Sequence, residues 1–158
     1  MGIFWNEGMT IDEARKVVHD LLEAGNFKEG KDFGLDEDGD QHIWVESDDA
    51  DQESRTVVVS IKENEDGAPP VVTLACLLAG LPEKDIVRLY RKLLELNYDG
   101  LAPQIRIGVH EQNVILLSAI HLEYLQENEL EYLVAEMIDG AGKIGELLVS
   151  EYGALWPG

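Results

Sequence analysis

The sequence predicts an α+β domain: an antiparallel sheet of about five strands with helices packed on one side. Three observations lead there. Segments with a helical apolar period stand near the beginning, in the middle and at the end of the chain, and segments that alternate apolar and polar residues lie between them. The joins between those alternating segments are short turns, which suit antiparallel neighbours and not parallel crossovers. The predicted order is α-β-β-β-α-β-β-α within 158 residues, a length that one domain fills while burying roughly two-thirds of its unfolded surface. We read 1–158 as a single domain with its core at about 10–152, leaving 1–9 and 153–158 as terminal extensions.

The first helix is predicted to begin at Thr10, because Thr10 and Glu13 have capping-box spacing and Asp12 suits the positive end of the helix dipole. Ile11, Ala14, Val17, Val18, Leu21 and Leu22 form its apolar stripe, and Gly25-Asn26 supplies the stop. The period then changes. Ile43 and Val45 alternate with polar neighbours, as do Val57, Val59 and Ile61, so each run reads as a strand. Asp66-Gly67 and Pro69-Pro70 mark a turn, and "VVTLACLLAG" follows as a more fully buried strand whose second half is also compatible with a short helix. "EKDIVRLYRKLLELN" is amphipathic, with Ile86, Leu89, Tyr90, Leu93 and Leu94 assigned to one face. "PQIRIGVH" alternates again, whereas "NVILLSAIHL" is apolar on both faces and needs cover on both. Asn128 and Glu131 have the spacing of a cap for the last helix, which is interrupted by Gly140, Gly142 and Gly145, sites of a bend or of close backbone approach. Trp156 in the tail is a candidate anchor.

Charge excludes more than any motif does. With a net charge of −20 the chain lacks the basic face that a general nucleic-acid binder or an anionic membrane surface demands. What remains is solubility adaptation, steering of a basic protein partner, or mimicry of a nucleic-acid surface. The excess concentrates between Asp36 and Glu53, where no Lys or Arg occurs. No apolar run approaches the roughly 20 residues of a membrane span, and the N-terminal residues lack a basic leader followed by an apolar stretch, so a cytoplasmic location is expected. Cys76 is alone within an apolar run, which predicts a buried, unreactive thiol and no disulfide framework.

Motifs for chemistry fail on their spacing. Asp36, Asp38 and Asp40 alternate as in a calcium loop, but counting on from Asp36 places Gln41 and Ser47 where that loop needs Gly and Glu. His19, His42, His110 and His121 follow no zinc pattern, and neither metal nor cofactor is expected. "DGAGKIGE" has the look of a phosphate-loop tail, yet it lacks the first glycine, carries Ile144 in place of a hydroxyl residue, and falls within a helix. No nucleophile elbow is present, and we expect no enzymatic activity.

The element order, the segment "LYRKLLELNYDG", the hairpin "IRIGVHEQNVILLSAIHL" and the long closing helix together resemble the YbjN-like family, which shares its fold with the type III secretion chaperones. The resemblance runs from about Thr10 to Tyr152. It implies a non-enzymatic homodimer that binds an extended client segment on apolar patches of the sheet and first helix. Fold likeness alone does not fix function.

The residues point the same way. The strand from Val114 to Leu122 has more apolar surface than helices on one face can cover, which makes Ile115 and Leu117 candidates for self-association or, alternatively, for the chain's own core. Trp44 and Val58 alternate out of phase with Ile43, Val45, Val57 and Val59, so they are candidates for an apolar client strip. The competing arrangement packs Trp44 beneath the loop after Gly25, against Phe27 or Phe33, and Phe27 is counted with the partner-binding candidates. A protein client of basic character is the expected partner; an acidic mimic that inhibits a basic DNA- or RNA-handling protein is the alternative.

Overall fold

The computed structural model describes residues 8–25, 27–35, 37, 41–45 (backbone only), 55–63, 69–126 and 128–156. The first helix, α1 (Ile11–Ala24), starts on an extended Thr10 whose hydroxyl accepts the Glu13 N–H at 3.1 Å and donates to the Glu13 carboxylate at 3.2 Å. This satisfies one of the helix's orphan donors. Four strands follow: β1 (Phe33–Leu35), β2 (Gln41–Val45), β3 (Arg55–Lys62) and β4 (Val71–Gly80). The second helix, α2 (Ile86–Asp99), leads to the hairpin β5 (Arg106–His110) and β6 (Asn113–His121). A 3₁₀ turn at Leu122–Tyr124 then joins α3 (Glu129–Tyr152). The "VVTLACLLAG" segment is strand throughout, and the short β1 adds an edge that carries too few alternating residues to register as a strand in sequence.

Among the described residues these strands form one antiparallel sheet in the order β1-β2-β3-β4-β6-β5. Register sets which side chains meet. Val57 pairs with Cys76, Cys76 with Leu116 and Leu116 with Ile107; the next inner row runs Val59, Leu74 and Ser118. All of these residues are buried. The same core holds Ala14, Val18 and Leu22 of α1, Leu89 and Leu93 of α2, and Leu130, Leu133, Val134, Met137 and Leu148 of α3. The helices therefore lie on one face of the sheet.

The glycines of α3 have separate explanations. A Cβ on Gly145 would overlap the Arg55 guanidinium and stand 3.1 Å from the Leu78 carbonyl. Arg55 needs that space, because its Nη1 donates to the carbonyls of Leu77 and Leu78 at 2.9 and 2.8 Å, where the β4–β6 register shifts. Gly140 only touches Leu116, and Gly142 faces open space. Arg55 also lies 5.8 Å from the Trp156 ring centroid, and Leu155 exchanges two backbone hydrogen bonds with Gly80, at 2.8 and 3.0 Å. Residues 154–156 are thus tied to the end of β4.

Two local expectations need correction. Tyr90 and Leu94 do not share the buried face of α2 with Leu89 and Leu93; they are exposed. Asn128 does not cap α3 through its side chain, since it adopts a left-handed conformation with φ 69°, and the Glu129 carboxylate instead accepts the Gln126 N–H at 3.0 Å. An apolar set spanning i, i+3, i+4, i+7 and i+8 covers a wide arc, and only the Leu89–Leu93 side of it faces the core here.

The glycine environments predict opposite effects of one substitution. Gly145→Ala should lower stability by about 1–3 kcal/mol through overpacking and loss of the Arg55 bonds, whereas Gly142→Ala should raise it by about 0.5–1 kcal/mol through helix propensity. Urea-unfolding midpoints of the two variants check the sign of each.

Candidate protein-binding surfaces

The face of the sheet away from the helices is built by the same alternation that builds the core. Val58 pairs with Ala75, Ala75 with Leu117 and Leu117 with Arg106; a second row joins Leu77, Ile115 and Gly108. Val58, Ala75, Leu77, Ile115 and Leu117 are half-buried and none belongs to the core cluster. The Leu117 side chain leans over Gly108, where a Cβ would come within 3.0 Å of its Cδ1. The result is an apolar strip crossing β3, β4 and β6, edged by the row of small residues Ser60, Thr73 and Ala119.

The candidates from sequence divide on this geometry. Val58, Ile115 and Leu117 lie on one face, so the client and self-association candidates meet on one surface. Phe27 is not with them, because it packs against the core cluster from the loop after α1. Trp44 stands opposite Thr56 in the backbone register, while its side chain lies outside the described residues, as do Asp36, Asp38, Asp40 and most of the acidic run that follows.

A further surface was hidden by the face assignment of α2. Val87, Tyr90, Leu94 and Tyr98 recur at helical spacing and are exposed, Leu94 by 70% and Tyr98 by 91%. Beside them runs the edge strand β5, held by Asn97, whose Nδ2 donates to the Ile107 carbonyl at 3.0 Å and whose Oδ1 accepts the Ile107 N–H at 2.7 Å. Ile107 therefore occupies a non-hydrogen-bonded position of the β5–β6 ladder, and by alternation the backbone groups of Val109 also point to the sheet edge. Tyr90, Leu93, Leu94, Ile107, Gly108 and Val109 line an apolar cavity of about 330 Å³ there. The signal in sequence was a helix with more apolar residues than one face of the core can use.

Cys76 lies on the inner face, where burial pushes its thiol up to about 11, an effect that the nearby Arg55 charge only partly offsets. A thiol in that state does not serve as a nucleophile. No helix among the described residues is long and apolar enough to cross a membrane.

Among the described residues the fold is thus one layer of helices over an antiparallel sheet with apolar residues on its other face, and comparison with known proteins returns the same fold. The chain is similar in fold to a chain of the ExsC–ExsE complex, at 16% identity and a TM-score of 0.57, covering 94% of this chain and 97% of the other. A chain of the heterodimeric ExoU–SpcU complex from the type III secretion system of Pseudomonas aeruginosa matches at 15% identity and a TM-score of 0.53, over 80% and 93% of the two chains. YbjN from E. coli matches at 8% identity and a TM-score of 0.61, over 91% and 96%. No curated protein matches in sequence. The family assignment comes from residues 16–144, which match the Tir chaperone protein (CesT) family; the chain belongs to that family.

Asn97 offers a direct check on the edge. Asn97→Ala should cost about 1–2 kcal/mol, the loss of two partly buried hydrogen bonds, and should speed amide exchange at Ile107 more than at Leu74. Unchanged exchange at Ile107 would show that Asn97 does not hold the strand.

Proposed function

We propose that this chain is a non-enzymatic chaperone or adaptor that holds a segment of a client protein on the bare face of its sheet. Membership in the Tir chaperone protein (CesT) family supports a protein-binding role, and the observation that carries the site is the apolar strip of Val58, Ala75, Leu77, Ile115 and Leu117 outside the core. Trp44, which stands opposite Thr56 in the backbone register, is the further contact we propose. An extended apolar segment suits it, since each outward side chain of such a segment meets a half-buried apolar neighbour. The net charge of −20 favours a basic client by speeding encounter, while the apolar strip supplies affinity. We place the protein in the cytoplasm.

The proposed assembly is a homodimer formed through α2 and the β5 edge. Val87, Leu94 and Tyr98 are the more exposed apolar groups, whereas Ile115 and Leu117 are half-buried and better used for the client. A symmetric contact of this kind covers the same stripe twice.

Two substitutions separate the surfaces. Affinity capture from producing cells with quantitative mass spectrometry should yield one dominant protein, reduced at least about tenfold by Leu117→Glu, which places a charge in an apolar contact. Its retention at high salt supports the apolar site. A partner that salt removes and that ignores both Leu117→Glu and Trp44→Ala contradicts it and points to an acidic mimic.

Light scattering should give twice the chain mass for the unmodified protein and a single chain for Leu94→Glu. A Leu94→Glu dimer that Ile115→Glu dissociates would move self-association to the sheet face.

A further inference from the structure

Away from both surfaces, three side chains with metal-binding chemistry converge beside α1. His19 and Glu23 are four residues apart and so share a helix face, and Glu29 reaches them from the turn before β1. One ligand atom from each lies within 4.8 Å of the others. His19 Nε2 is 2.9 Å from Glu29 Oε2. Two ligands on a tetrahedral zinc, with bonds of about 2.0–2.2 Å, stand about 3.3 Å apart, so this pair needs to open by only a few tenths of an ångström.

The groups are held in place by their neighbours, and a bound cation would replace the hydrogen bond between His19 Nε2 and Glu29 Oε2. The His19 ring meets buried Phe33 edge-on at 5.5 Å. Its Nδ1 lies 3.6 Å from Asp20 Oδ1, an outer carboxylate that would keep the proton on Nδ1 once a metal takes Nε2 from Glu29. Glu23 Oε1 accepts the backbone N–H of Glu29 at 3.1 Å, and Asp32 Oδ2 accepts that of Lys28 at 2.8 Å, which fixes the turn on the helix. Lys28 Nζ is 3.7 Å from Glu23 Oε2, and that carboxylate still has lone pairs to offer a cation.

We propose that His19, Glu23 and Glu29 form a site for a divalent transition cation, with zinc the best match. The imidazole sets it apart from the all-oxygen ligand sets that suit calcium and magnesium, and one nitrogen with two carboxylate oxygens leaves a position for water or a client group. The ion acts as a clip joining α1 to the turn that leads into the sheet edge. The i, i+4 pair was visible in sequence, but Glu29 enters only through the fold of the turn.

The test uses the full chain, stripped with EDTA and exchanged into high salt to screen loose attraction of cations to its surface. Competition of Zn²⁺ against a chromophoric chelator should show one ion per chain. His19→Ala and Glu29→Gln should each weaken it at least about tenfold, Glu83→Gln on the opposite side of the sequence should not, and Mg²⁺ in excess should not displace it. Zinc should raise the melting temperature of the unmodified chain and of Glu83→Gln but not of His19→Ala, with circular dichroism confirming that each variant is folded. Zinc affinity equal in all variants, or no ion retained at high salt, overturns the site.

Discussion

β4 and β6 are apolar on both faces, and the helices of this fold lie against only one of them. That asymmetry organises the rest of the molecule. On the covered side, Cys76, Leu116 and Ile107 meet in one row and Leu74 and Ser118 in the next, with α3 laid across them. On the other side, Val58, Ala75, Leu77, Ile115 and Leu117 shield one another edge to edge, and among the described residues no second layer lies over them. Leaving such residues half in water costs free energy in proportion to the area left wet, and a chain that retains them keeps that energy available for binding.

The inner layer is close-packed where the helix approaches the sheet, and its exceptions are chemically specific. Gly145 gives Arg55 room to reach two carbonyls at the register shift, and Arg55 in turn lies near Trp156. A backbone irregularity in a central strand leaves acceptors that need a donor. The arginine supplies it, and the glycine is the sequence trace of that arrangement. The edge strand shows the same logic in Asn97, whose amide stands in for a neighbouring strand at Ile107 and leaves the backbone groups of Val109 facing the sheet edge.

Much of the fold was readable in the residues because each period was unambiguous. The Thr10 cap, the α1 stripe, the alternation in β3 and the double-faced run in β6 each carry their own geometric signature. The bare face was readable too, since a strand apolar on both sides in a sheet with one helix layer has surplus surface. What failed depended on tertiary placement. Whether Tyr90 and Leu94 face the core depends on how α2 is rotated against β5, and the period of a helix does not set its rotation. Asn128 has the composition of a cap but a left-handed backbone, and three-residue β1 is too short to show a period. Phe27, counted with Val58 through its candidate packing against Trp44, lies against the core cluster. The approach of Glu29 to His19 depends on a turn whose geometry is set by Asp32 and Gly30, not by any spacing.

The most direct measurement is methyl NMR with a soluble paramagnetic agent on the dilute chain, before and after addition of its captured client. The prediction is strong broadening of Val58, Ile115 and Leu117 methyls in the free protein, little for Val57, Leu74 and Leu116, and protection of the first set when the client binds. Equal protection of both sets in the free, monomeric chain would mean that the sheet is covered on both sides and has no face to give.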